Sequence, residues 1–455
     1  MRSIPCLLRG FAVASSCALA LAQGEAKDIK SKDPLKRVAA VAALEAQGGP
    51  EAEKALVSAL LDRDWEVVEA SALALRKVGT KIALAQLVKV ALDGPAWRIR
   101  RAAAQALAQI DPVSATEDLA KQTAGKNALH AWLALAIVAP KAKGESADVL
   151  ARNLRKAQKS KETAEQVAGA GGIAVTTQEV LLEALDGYLS GTDIALAAAA
   201  LRSVASKPDA AVLPLLQKAL CAAKLDDVLE RRLIATVAAC ASTLGSDALK
   251  PLQDAVCGST DANVAARGMR LCEALGRVEG DSAVALAASA GAALEKGLAH
   301  ADAKVRAAAV HAGVRVKNAA VLLKARDLAA SDRDAHVRRV ALRDLCDAVE
   351  VGADSEKAVF DLVVERLKGD SDARVREEAA VVLARVPTDL SAVALAAALT
   401  DREWAVAVCA AVSLGKTTRE RGLEALLTMA KDADWKRRGA AVTGLCHLCV
   451  HEAVP

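Results

Sequence analysis

Apolar residues recur along the chain at the spacing of one face of an α-helix. After Asp372 they fall at Val375, Ala379, Val382 and Leu383. This spacing keeps them on one side of a helix with 3.6 residues per turn. A second apolar stretch follows, and the two stretches alternate through most of the sequence. The pattern therefore predicts pairs of short helices, each with one apolar face.

A short phrase marks the start of one helix in each pair. It consists of an acidic or small anchor residue, two variable residues, an apolar residue, often an arginine, and then alanines. The anchors Asp33, Asp64 and Ala96 lie 31 and 32 residues apart. An aspartate in this position suits a helix N-cap. Further copies begin at Asp193, Asp227, Asp261, Asp302, Asp334, Asp372, Glu403 and Asp434.

The repeat predicts an all-α solenoid, because one hairpin cannot bury its apolar face alone and must stack on its neighbours. The period allows about 12–13 hairpins over residues 23–455, with the weakest copies in 140–190. Hydrophobic residues make up 53% of the chain but aromatic residues only 2%. The apolar mass is therefore Ala, Leu and Val, which suits closely packed helices.

The phrase resembles a known family. The pattern D-x-x-V-R-x-A-A, as in Asp302-AKVRAAAV, and the period near 30 residues are similar to HEAT-like repeats, particularly the short form named after bilin lyases. The resemblance covers nearly all of Lys27–Val450. It implies an α-solenoid in which the anchored helix of each repeat lines the concave side. It implies no lyase activity, because this scaffold is shared by many unrelated proteins.

The N-terminal segment has the pattern of a secretory signal peptide. Arg2 and Arg9 precede an apolar run, Gly10 to Ala22, that ends in Ala-Leu-Ala. We predict a signal peptide over residues 1–22, cleaved after Ala22, and hence a secreted or periplasmic protein. The alternatives are lipoprotein processing at Cys17 and a transit peptide. The run is shorter than the ~20 residues of a membrane span, so we expect no transmembrane span in the mature chain.

The charge balance argues against nucleic acid as a partner. The chain has 60 basic and 56 acidic residues, a net charge of +4. Loss of Arg2 and Arg9 with the signal peptide leaves 58 against 56, too little net charge to hold a phosphate backbone. We expect a protein or peptide partner, with a glycan as the alternative.

Tryptophan is the least expected residue in this pattern. Trp65, Trp97, Trp404 and Trp435 each directly follow an anchor, and they form two pairs in adjacent repeats. The same repeat position places them along one edge of the solenoid. They either cover the junction between repeats or form two aromatic platforms for a partner. We take these four as the candidate partner-binding residues, and Trp132, deeper in its helix, as core.

Aspartate and arginine recur together at the anchors. The i,i+4 spacing places each pair on one helical face, and neighbouring repeats can join the pairs into a structural ladder. An Asp-x-Asp phrase also recurs, as at Asp62 and Asp64; we interpret it as a turn with an N-cap, and a Ca²⁺ site is the alternative. The ladder pairs are Asp33/Arg37, Asp302/Arg306, Asp334/Arg338, Asp372/Arg376 and Asp434/Arg438.

Eight cysteines remain after removal of the signal peptide, all from Cys221 onward. Most lie in apolar helical patterns, which favours buried thiols over disulfides. Cys446 and Cys449, with His447 and His451, form the one cluster of metal-ligand types. They define the alternative function, a metal-binding or redox protein, or an enzyme accessory.

The sequence lacks the familiar catalytic signatures. It contains no G-x-S-x-G, no H-E-x-x-H and no phosphate-binding G-x-x-x-x-G-K. We therefore predict a non-catalytic scaffold that binds another macromolecule, with no cofactor and no catalytic or metal residues.

Overall fold

The structure, a computed structural model, describes residues 26–124, 126–142, 147–161, 163–348, 354–385, 389–417 and 419–450. Throughout these ranges the chain consists of helices joined by turns, and they contain no β-strand. The fold is an all-α solenoid, as predicted. The proposed signal peptide, residues 1–22, lies outside the described residues.

The helices alternate between two rows along the chain. In order they are α1 Pro34–Gln47, α2 Gly49–Ala59, α3 Trp65–Val78, α4 Leu84–Asp93, α5 Trp97–Ile110, α6 Pro112–Ala120, α7 Ala128–Val138, α8 Ala147–Gln158, α9 Thr163–Ala170, α10 Gln178–Ser190, α11 Ile194–Ser206, α12 Leu213–Leu220, α13 Asp227–Cys257, α14 Ala262–Leu275, α15 Ala283–Leu298, α16 Ala303–Arg315, α17 Ala319–Ser331, α18 Ala335–Ala348, α19 Asp354–Gly369, α20 Ala373–Leu383, α21 Asp389–Ala398, α22 Trp404–Leu414, α23 Arg419–Met429 and α24 Trp435–Val450. Short 3₁₀ turns complete several connections.

The chain divides into two compact units. The first runs to Ala219 and includes Asp226–Ala239, and the second consists of Leu220–Leu225 and the residues from Cys240 onward. In the first unit the anchored helices α1, α3, α5, α7, α9 and α11 pack on one another in sequence. In the second unit α14, α16, α18, α20, α22 and α24 do the same. The intervening helices form the other row of each unit.

Gly245 separates the two halves of α13. Its φ of 80° is not helical, and the chain kinks there. This is the left-handed region that glycine enters at little cost because it has no Cβ. Because of this kink, the part of α13 before Gly245 is an anchored helix and the part after it is an intervening helix.

Small side chains bring the anchored helices together. Ala72, Ala103 and Ala379 are fully buried in anchored helices that pack on one another, and an alanine permits close approach without loss of helix propensity. Trp132 of α7 is 1% exposed, which confirms its place in the core. A Cβ on Gly172 would lie 2.4 Å from the indole of Trp132, so this close contact requires glycine.

None of the described helices combines the length and the apolar character needed to cross a bilayer.

Candidate functional site

Most of the anchor aspartates cap the anchored helices. Asp33 accepts a hydrogen bond from the Leu35 amide at 2.9 Å, and Asp302 accepts one from the Lys304 amide at 2.8 Å. Asp334, Asp372 and Asp434 accept equivalent bonds from His336, Arg374 and Lys436 at 2.8, 2.8 and 2.9 Å. Each carboxylate satisfies a first-turn N–H that has no partner within the helix.

The arginines pair with the following repeat rather than with their own anchor. Each guanidinium donates through Nε and Nη2 to both oxygens of an aspartate that lies two residues before the next anchor. The pairs are Arg37–Asp62 at 2.8 and 3.0 Å, Arg306–Asp332 at 2.8 and 2.8 Å, Arg338–Asp370 at 2.8 and 2.7 Å, and Arg376–Asp401 at 2.8 and 2.9 Å. The structure thus corrects the pairing that we expected from the i,i+4 spacing. We call Arg37, Arg306, Arg338 and Arg376 the arginine ladder, and Asp62, Asp332, Asp370 and Asp401 the ladder carboxylates.

The third guanidinium nitrogen closes the turn before the helix. Nη1 of Arg306 donates to the carbonyls of His300 and Ala301 at 2.9 and 2.8 Å, and Nη1 of Arg376 donates to the Asp370 carbonyl at 2.8 Å. One buried arginine thereby joins its own turn to the next repeat. Among the described residues, Arg438, in α24, makes only the carbonyl bonds, to Asp432 and Ala433, and it is exposed.

The ladder carboxylates are held in the charged form. Burial raises the pKa of Asp332, but the hydrogen bonds from Arg306 and from the Asp334 amide, together with the guanidinium charge, outweigh it and lower the pKa below its ordinary value. The same balance of causes lowers the pKa of Asp62, Asp370 and Asp401. The ladder is therefore a set of ionised pairs, as expected for bidentate contacts.

The ladder also explains the Asp-x-Asp phrase. Oδ1 of Asp332 accepts the backbone N–H of Asp334 at 2.8 Å, while the Asp334 side chain caps α18. Both carboxylates are thus engaged within the turn. Among the described residues, no group of three or more His, Cys, Asp or Glu side chains is placed to hold a metal ion.

The four candidate tryptophans stand at the first position of α3, α5, α22 and α24. Trp65 is 45% exposed, Trp97 61%, Trp404 47% and Trp435 69%. In each compact unit one pair lies on neighbouring anchored helices that pack together. Much of the apolar surface of each indole is therefore open to a partner. Exposed tryptophans in clusters are typical of interaction sites.

Basic side chains lie over these indoles. The guanidinium carbon of Arg98 is 5.7 Å from the ring centroid of Trp65, and that of Arg101 is 5.9 Å from Trp97. Nζ of Lys436 is 4.7 Å from the centroid of Trp404 and 6.0 Å from that of Trp435. These distances are within the range of cation–π attraction.

Sequence reasoning did not identify these cations. A signal was present, because Arg98 and Lys436 each directly follow the second tryptophan of a pair. The sequence pattern also did not single out Asp401 as a partner of the arginines, since the phrase there reads Asp-Arg-Glu rather than Asp-x-Asp.

The cysteines fall into two situations. Cys446 is exposed on α24, whereas the side chain of Cys449 and the whole of His451 lie outside the described residues. In the second unit, Sγ of Cys257 lies 3.6 Å from Sγ of Cys272, and the Gln253 amide also contacts the Cys272 sulfur. Cys257 opens onto a groove of about 570 Å³ between the second half of α13 and α15.

The stacked two-helix repeats define the chain as an α-solenoid. The family model for HEAT repeats matches residues 27–108 and 360–446, one stretch in each compact unit, which confirms the resemblance to HEAT-like repeats in those two stretches. No curated protein matches the chain by sequence.

The solved structures that match the chain include karyopherins. Kap121p bound to Pho4p is 12% identical over 94% of this chain and 53% of its own, with a TM-score of 0.46. Yeast importin-beta, Kap95p, is 12% identical over 93% of this chain and 65% of its own, with a TM-score of 0.43. An engineered protein is 19% identical over 93% of this chain and 98% of its own, with a TM-score of 0.23. The chain therefore spans about half the length of the Kap121p chain.

Proposed function

We propose that the protein is an exported, non-catalytic scaffold that binds another protein through its two tryptophan pairs. The observation that carries this proposal is the exposure of four indoles, 45–69%, at one repeated position. The other recurring polar residues have structural roles, because most anchor aspartates cap helices and four of the arginines join repeats. The tryptophans, by contrast, keep a large exposed apolar surface at the same position of four repeats.

Binding through a few indoles is physically reasonable for a surface of this kind. Tryptophan supplies a large apolar area at a small cost in side-chain entropy, and it is enriched among the residues that dominate binding energy. A solenoid holds such residues on rigid helices at a fixed spacing. Two pairs on one chain offer two places of attachment.

The test is capture of a partner by the mature chain from the envelope or secretome of its source. A variant with Trp65, Trp97, Trp404 and Trp435 changed to Ala should lose capture, at a cost of roughly 2 kcal/mol for each dominant indole. Leu323→Ala is the matched control, because Leu323 is 64% exposed but lies on an intervening helix. Circular dichroism should show unchanged helicity in both variants. Capture that survives the loss of all four indoles would refute the proposal.

Export is tested separately at the N-terminus. If residues 1–22 are a signal peptide, the mature protein begins at Gln23, as N-terminal sequencing of the native protein should show. Replacing Ala20 and Ala22 with bulky residues should block this processing, because cleavage requires small residues there. A native chain that retains Met1 would contradict export, and a lipid-modified Cys17 would identify the lipoprotein alternative.

A further inference from the structure

We infer that each tryptophan pair, together with the cations lying on its indoles, is a binding site for an acidic peptide segment. This inference rests on the proposed function and names the chemistry of the partner. It assigns one such site to each compact unit: Trp65 and Trp97 with Arg98 and Arg101, and Trp404 and Trp435 with Lys436.

The two sites are built alike. In each unit, the residue that follows the second tryptophan extends back over the indole of the first: Arg98 over Trp65, and Lys436 over Trp404. The arrangement arises because the tryptophans occupy the first position of neighbouring anchored helices and the cation occupies the second position. The same arrangement occurs in both units, with arginine in one and lysine in the other, so the common feature is a positive charge over the first indole.

Two of the cations on the indoles, Arg101 and Lys436, have no ion-pair partner among the described residues, although Glu66, Glu403 and Asp434 lie nearby along the chain. The first turns of α5 and α24 carry no acidic residue. Arg98, by contrast, pairs with Glu69 at 3.2 Å. Cations in a first turn also face the positive end of the helix dipole, so an added negative charge would be stabilised there.

The carboxylate of the preceding anchor is not available to supply that charge in the first unit. Asp64, which directly precedes α3, bonds to the guanidinium of Arg37 and makes no cap bond to that helix. The anchor of α5 is Ala96, which has no polar side chain. Both helices of the Trp65–Trp97 pair therefore begin without a capping carboxylate.

The position of the cations favours an acidic partner over a basic one. They already lie on the indole faces, so a basic side chain would have to displace them before it reached the rings. A glutamate or aspartate would instead accept charge-assisted hydrogen bonds from them. Apolar side chains on either side of that carboxylate would pack on the open parts of the indoles. The predicted ligand is thus an extended segment in which acidic and apolar residues alternate.

The test uses a synthetic peptide of alternating Glu and Leu, with its Lys and Leu counterpart and a single-stranded oligonucleotide as competing probes. Tryptophan fluorescence and calorimetry on the full chain should show two acidic peptides bound per chain. Affinity should fall as salt rises from about 0.05 M to about 0.5 M, because screening weakens exposed charge pairs. A preference for the basic peptide or the oligonucleotide, or no binding of the acidic peptide, would overturn the inference.

Charge reversal locates the sites. Lys436→Glu should weaken one of the two sites about tenfold, as truncation or reversal of an interfacial charge does, and leave the other unchanged. Lys304→Glu is the matched control, since Lys304 has the same position in α16 but follows Ala303 instead of a tryptophan. Equal weakening by both variants would show a general charge effect and overturn the inference.

Failure of the acidic-peptide inference and failure of the proposed scaffold function give different outcomes. If the four-tryptophan variant loses the native partner while Lys436→Glu and Arg101→Glu bind it normally, scaffold binding stands and the acidic chemistry is wrong. If the four-tryptophan variant retains the partner, the proposed function itself fails.

Discussion

Removing Arg306 is the most informative perturbation of the fold. Its side chain makes two bonds to Asp332, both at 2.8 Å, and two to the carbonyls of His300 and Ala301. The side chains of the pair are only 6% and 3% exposed. Arg306→Ala leaves the Asp332 carboxylate buried, with the Asp334 amide as its remaining hydrogen-bond donor. Loss of one partner of a buried pair costs about 3–5 kcal/mol.

The chain supplies its own control for this cost. Arg438 occupies the same repeat position and makes the same kind of carbonyl bonds, to Asp432 and Ala433, but it is exposed and, within the part of the chain that the structure describes, pairs with no carboxylate. Arg438→Ala should therefore cost only about 0.5–1.5 kcal/mol, the contribution of exposed hydrogen bonds. Arg306→Lys should fall between the two, because an ammonium keeps the charge but cannot form the bidentate contact.

Urea unfolding followed by circular dichroism measures these differences. Repeat arrays can unfold in stages, so the midpoint and the slope should be compared among the variants, and native-state hydrogen exchange should show that the loss is centred on α16 and α18. If Arg306→Ala and Arg438→Ala differ by less than about 1 kcal/mol, the link between repeats contributes little beyond the turn, and the reasoning is wrong.

Three further predictions follow from other contacts. Folding lowers the pKa of each ladder carboxylate. The ionised carboxylates therefore contribute their full stabilisation of the fold above the unfolded pKa of about 3.9, and this contribution is lost as pH falls through the lower folded pKa values. Measuring the urea midpoint of unfolding as a function of acid pH should show this loss. Gly313→Ala places a Cβ 2.2 Å from Val321 and should destabilise the folded protein by about 1–3 kcal/mol. Gly439→Ala is the control: its Cβ meets no described atom within 4 Å, so it should stabilise the protein by about 0.5–1 kcal/mol. Thermal unfolding measures both changes. A thiol-specific oxidant should link Cys257 to Cys272 before other pairs, since their sulfurs lie 3.6 Å apart; peptide mapping that finds either thiol linked first to another cysteine would refute this.

The sequence by itself determined the helices and their order, because the signals for them are local. Apolar residues three or four apart define the buried face of a helix, and an aspartate before it satisfies the first free N–H. These interactions span a few residues, so they can be read along the chain. The repeat period then required stacking, since a single hairpin leaves its apolar face exposed. The all-α solenoid and the HEAT repeats were predictable for this reason.

The partners of the polar residues were decided only by the tertiary structure. The i,i+4 spacing of Asp302 and Arg306 suggested a pair, but the aspartate is occupied by the Lys304 amide, and stacking brings Asp332 to the arginine. The cation over each indole likewise depends on how adjacent repeats pack. Such contacts join residues about 30 positions apart through a fixed helix spacing. Sequence pattern gives the period, but only the packed helices determine which groups meet across it.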